Sequence, residues 1–164
     1  VFAAAEYNGP VYLRFGRLAV PQIFDKTYNF KIGKGNILTE GNDATIIATG
    51  LMVNEAIIAA KLLKNEGIFA RVVNMATIKP IDRDLIISCA KETGTIVTAE
   101  EHSIIGGLGS AVSEVITETV PIPVIKVGVM DVFGTSGPAK ELLDIYGLNA
   151  KSIVEAVKKA IKLK

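Results

Sequence analysis

His102 is the only histidine of the chain, and it follows directly on the carboxylates Glu100 and Glu101 and precedes the glycines Gly106, Gly107 and Gly109. A carboxylate that orients an imidazole makes a general base, provided the side chains come within hydrogen-bond reach. The alternative is structural: the glycines let a helix pack closely on a sheet, while Glu100 and His102 hydrogen-bond neighbouring loops. Residue types alone leave both readings open. The glycine run is not a nucleotide loop, because its spacing is not G-x-G-x-x-G and no phosphate-binding lysine follows it.

The remaining chemistry-bearing residues are sparse. Cys89 is the single cysteine, which excludes an intramolecular disulfide and the usual cysteine-based zinc sites, and its place after Ile86 and Ile87 on a helical pattern marks it as a core residue. Lys158, Lys159, Lys162 and Lys164 close the chain as a basic cluster, where cations complement the negative end of a helix dipole. Charge is otherwise balanced, with 18 Lys and Arg against 17 Asp and Glu, so no global field calls for nucleic acid or an acidic membrane surface. The apolar runs are too short to span a bilayer and no basic flank opens a signal peptide, so the expectation is a soluble cytoplasmic protein without nucleic-acid or membrane partners.

The elements that must position these residues follow from periodicity. At 164 residues with 49% hydrophobic content, the chain can build a full core. Residues 95–99 form a β-branched run that predicts a strand, residues 100–107 a turn, and Leu108, Ala111, Val112, Val115 and Ile116 recur at helical spacing. Upstream, residues 1–10 look like the end of a helix, 11–14 like a short strand, and 18–29 like a linker around Pro21. Residues 36–39 and 44–49 are strand-like, and the intervening Glu40, Gly41, Asn42 and Asp43 predict a hairpin that pairs them antiparallel. A helix over 53–65, a strand over 70–75, a helix over 82–92 and a strand over 124–129 set the rhythm of right-handed crossovers. Pro138 suits the first position of a short helix capped by Ser136 or Gly137, and Asn149 caps the last helix. The fold class is therefore α/β: three layers, α/β/α, around a mostly parallel five-stranded sheet with one antiparallel edge strand. Loops starting at Gly50, Ala76, Glu100 and Met130 converge at the carboxyl ends of the parallel strands, where ligands collect in such folds. They gather Asn54, Asn74, Thr77, Lys79 and Asp131 beside Glu100, Glu101 and His102, without a metal-ligand cluster, a nucleophile with its base or a phosphate loop.

Five segments carry a resemblance in order along the chain: GPVYLRFGR at 9–17, IATG at 47–50, VNMATIKPID at 73–82, TAEEHSIIGGLGSAV at 98–112 and DVFGTSG at 131–137. Together they resemble the carboxyl-terminal part of transketolase, most of all the small subunit of the split, two-chain transketolases. Deoxyxylulose phosphate synthases and the β chains of 2-oxo acid dehydrogenases share the domain and are the alternative members; a non-catalytic interaction module is the alternative of another class.

The resemblance implies a thiamine diphosphate enzyme of the pentose phosphate pathway type, which moves a two-carbon ketol unit between sugar phosphates. Diphosphate and magnesium belong to the family's amino-terminal domain and the activating glutamate to its middle domain, so the resemblance implies no catalytic, cofactor-binding or metal residue in this chain, and neither thiamine diphosphate nor magnesium bound to it alone. Residues 1–22 correspond to the end of the pyrimidine-binding middle domain with its linker, and residues 23–164 to the carboxyl-terminal domain. The expected partners are an N-terminal transketolase domain or subunit and a second copy, in a homodimer. Arg17 matches the arginine that binds the sugar phosphate in this family, a task suited to a planar, permanently charged fork. Glu100, Glu101, His102, Gly106 and Gly107 match family positions better suited to an interface or a ligand-facing loop than to catalysis.

Overall fold

A computed structural model describes residues 1–164. After a single helical turn, α1 (Phe2–Ala5), the chain runs without regular structure to β1 (Asn36–Thr39), and then alternates: β2 (Ala44–Ala48), α2 (Met52–Asn65), β3 (Ala70–Asn74), α3 (Arg83–Thr93), β4 (Ile96–Ser103), α4 (Leu108–Thr119), β5 (Val124–Val129), α5 (Ala139–Ile145) and α6 (Ala150–Lys162). The five strands form one sheet in the order β1-β3-β2-β4-β5. β2 pairs parallel with both β3 and β4, β4 pairs parallel with β5, and β1 is the antiparallel edge strand.

Strand residues alternate between two cores because successive side chains leave opposite faces of a sheet. Ile46 and Val72 join α2 and α6, through Ala56, Leu63, Ile153 and Val157, on one face. Ile47 and Val73 join α3 and α4, through Ile86, Cys89, Val112 and Ile116, on the other. With both faces covered, every residue of β2 and β3 is buried, which is why neither strand shows a polar and apolar alternation. The three-layer α/β/α architecture follows, and so does Cys89 as a buried core residue.

The expected hairpin between β1 and β2 does not form. β1 pairs antiparallel with β3, with Asn36 opposite Asn74 and Ile37 opposite Val73, and β2 lies on the far side of β3. Residues 40–43 step across the start of β3 instead of turning back: Asp43 exchanges hydrogen bonds with Phe69, its N–H donating to Phe69 O at 3.0 Å and its Oδ2 accepting from Phe69 N at 2.6 Å. Gly41 is needed there because a Cβ would lie 2.4 Å from the Phe69 carbonyl oxygen. The same glycine-rich turn chemistry serves a hairpin and a crossing, and the parallel partners of β2 decide between them.

Other boundaries move for local reasons. Residues 11–14, expected as a strand, take up no strand structure, for this chain offers them no partner strand. β4 runs on through Glu100 to Ser103, where Ser103 stands opposite Val129 past an irregularity in the ladder, so part of the expected turn is strand. At α5 the cap is Pro138 itself rather than Ser136 or Gly137. Asn149 does cap α6, its side chain accepting from Ser152 N. Among the helices none is long and apolar enough to cross a membrane.

Candidate functional site

The end of β4 and the start of α4 bring Glu100, His102, Gly106 and Gly107 together. Glu100 is 2% exposed, and its carboxylate accepts from two amides of the first turn of α4, Leu108 N to Oε2 at 2.7 Å and Gly109 N to Oε1 at 2.8 Å. A buried carboxylate paired this way meets the helix's orphan donors and its positive end at once. Gly107 is required by that contact: a Cβ would lie 2.0 Å from Glu100 Oε2. The helix terminus that could have cradled a phosphate is filled by the chain's own anion.

His102 and Glu100 do not form a general-base pair. The Nδ1–H of His102 donates to the Ser103 carbonyl at 2.8 Å, and Glu100 Oε2 stands 4.0 Å from Nδ1 with its acceptor capacity turned to the helix. This tautomer leaves Nε2 as an acceptor on a half-exposed ring, 47% accessible, a polar contact suited to a neighbouring surface. Glu101 holds the upstream segment through its backbone, the carbonyl accepting from Arg14 Nη2 at 3.0 Å.

Of the two arginines in the motif at 9–17, Arg17 is exposed and makes no hydrogen bond or ion pair within the chain. Arg14 lines a cleft at the carboxyl ends of β2 and β3 together with Gly50, Asn74 and Ala76. Asn74 and the Gly50 loop were legible as part of the four-loop face; the participation of Arg14 was not, because an arginine in irregular chain carries no periodic signal of where it points.

The donor set does not fit a diphosphate held by magnesium. No group of three His, Cys, Asp or Glu side chains is arranged to hold a metal ion, and the Gly106–Gly107 helix start is occupied by Glu100.

The sequence matches the family profile described as "Transketolase, C-terminal domain" over residues 33–153. This chain belongs to the transketolase C-terminal domain family. A "Putative transketolase C-terminal section" of Methanocaldococcus jannaschii is 48% identical over 161 residues, covering 96% of this chain and 50% of that protein. A "6-deoxy-6-sulfo-D-fructose transketolase subunit" of Clostridium sp. is 46% identical, covering 92% of this chain and 47% of that one. Among solved structures, a split-gene transketolase described as an inactive β4 tetramer superposes with a TM-score of 0.95 at 58% identity, over 98% of this chain and 53% of its own. The chain thus spans about half the length of the relatives it matches. The transketolase domain seen here has the sheet, the buried Glu100 cap and the convergent loops.

Proposed function

We propose that this chain is the C-terminal portion of a thiamine-diphosphate-dependent transketolase, which transfers a two-carbon ketol unit from a ketose phosphate to an aldose phosphate, and that its own part is structural and interface-forming. The observation that carries the reading is the match to the transketolase C-terminal domain, joined to relatives that are themselves split-transketolase pieces. Thiamine diphosphate and magnesium are then held by the remainder of the enzyme, an N-terminal transketolase domain or subunit, in a cytoplasmic homodimer of the complete protein. Residues 1–22 are the end of the preceding pyrimidine-binding domain, and 23–164 the C-terminal domain proper. The half-exposed His102 and the loop through Gly106 belong to an interface in that assembly.

Arg17 is the residue of this chain that meets substrate. Exposed and free of internal partners, it is available to the phosphate of the sugar as a permanently charged bidentate donor. The test is Arg17→Ala in the complete enzyme, assembled with its N-terminal partner, thiamine diphosphate and magnesium. A remote phosphate contact is held in ground and transition states alike, so KM for phosphorylated sugars rises more than kcat falls. One charge-assisted contact corresponds to about a ten- to hundredfold loss in kcat/KM. Unphosphorylated donors are unaffected, and lysine restores part of the loss. Equal discrimination between phosphorylated and unphosphorylated donors before and after the change refutes the assignment of Arg17; absence of ketol transfer in the assembled parent refutes the function.

A further inference from the structure

The cleft that Arg14 lines has a volume of about 330 Å³ and lies where the 11–24 segment crosses the carboxyl ends of β2 and β3. Its polar and apolar groups together describe a ligand. α2, 14 residues long, starts behind the Gly50 turn with no side chain capping it; Val53, the first-turn residue that lines the cleft, gives its N–H to Gly50 O at 3.2 Å, and the positive end of the helix dipole lies beside the cleft.

Asn74 supplies an independent sign. It is only 6% exposed, its side-chain amide makes no hydrogen bond within the chain, and it is not among the polar atoms sealed off from solvent. Its remaining accessible surface therefore opens into the cleft it lines, and a buried amide there calls for a partner. Arg14 adds a second donor: Nη2 is engaged by the Glu101 carbonyl, while the rest of the guanidinium has no partner and enters none of the chain's ion pairs. Ile23, Phe24 and Val53 add apolar surface to the lining.

We infer that this cleft binds a small organic anion, its carboxylate or phosphate group held by the Arg14 guanidinium and the Asn74 amide beside the positive end of α2, and its apolar body resting on Ile23 and Phe24. An amide donor and an arginine fork supply N–H groups to one oxyanion and the helix dipole favours its charge, and a largely apolar cleft with few convergent polar groups is the common form of a small-molecule site. Arg17 does not line the cleft, so this site is separate from the sugar-phosphate contact proposed above and stands or falls without it.

The experiment is an amide-resolved NMR titration of the chain with phenyl phosphate, benzoate and inorganic phosphate in parallel. Saturable shifts are expected at the backbone amides of Gly50 and Val53, which line the cleft, and at the Asn74 side-chain amide. The aromatic anions should bind about tenfold more tightly than inorganic phosphate, because the ring covers apolar wall; the tighter of phenyl phosphate and benzoate names the head group. Arg14→Gln, on an exposed segment, should weaken binding about tenfold, and Asn74→Leu comparably, with the dispersion of the remaining spectrum reporting that each variant is folded. Arg17→Gln should change nothing. Absence of saturable shifts at α2, equal binding of ring-bearing and inorganic anions, or dependence on Arg17 in place of Arg14 overturns the site.

Discussion

Glu100 shows how a residue type suggestive of catalysis becomes structural through its partners. Both carboxylate oxygens are spent on the amides that start α4, and Gly107 is shaped around them. Glu100→Ala leaves buried donors at Leu108 and Gly109 unanswered and should destabilise the domain by about 3 kcal/mol, read as a lowered urea midpoint with an unchanged slope. Cys89 gives a pH signature instead. Burial pushes its thiol above the ordinary range, against the opposing pull of Arg71, whose Nη1 lies 3.8 Å from Sγ. The folded state then holds its proton where the unfolded chain has lost it. This contribution is fully present below the unfolded thiol's pKa, about 8.5, and is lost as pH rises through the higher folded value. Cys89→Ala should flatten the alkaline limb of the stability profile measured by denaturant unfolding; an unchanged limb would show that the thiol does not contribute.

At the scale of elements, Asp82 ties the start of α3 to the segment ahead of β1. It caps α3 by accepting from Leu85 N at 3.3 Å, accepts from Gly35 N at 3.1 Å just ahead of β1, and meets Lys34 Nζ at 3.3 Å. The carboxylate is 5% exposed, so these contacts sit in a partly desolvated setting and outweigh a surface ion pair. Asp82→Ala should lower stability by about 2 kcal/mol, the upper range for a lost cap. The loss should include faster hydrogen exchange at Ile37 to Thr39, since the edge strand is released with it. A simple cap would leave β1 protected.

For the whole molecule, the question is what surface remains after both faces of the sheet are covered. Phe133 is 100% exposed, Met130 62% and Val132 56%, all on the segment that leaves β5, and Ile105 beyond β4 is 61% exposed. Carried on the segments that leave the adjacent strands β4 and β5, these side chains are where an association surface is expected. The complete protein is expected to associate through it, and Phe133→Ser should shift its sedimentation profile towards smaller species without changing the unfolding midpoint of this domain. An unaltered distribution would place the interface elsewhere.

The sequence by itself determined the layer architecture, because burial on both faces of a parallel sheet demands short stretches rich in apolar and β-branched residues, as at 44–48, 70–74 and 96–99, and covering helices demand the period seen in α2, α4 and α6. It also determined the Asn149 cap and the buried place of Cys89, which depend on neighbours within a turn or on an apolar face. Strand partnership was decided only by the tertiary structure: the residues at 40–43 encode a change of direction, while the choice of β3 as the partner of β1 comes from β2 being claimed on both edges by parallel strands. The candidate sites divide in the same way. That Glu100 and His102 lie near a helix start was legible along the chain, but the direction in which each side chain spends its hydrogen bonds was not. The meeting of Arg14 with Asn74, 60 positions apart in sequence, exists only because the fold lays an irregular segment across the strand ends.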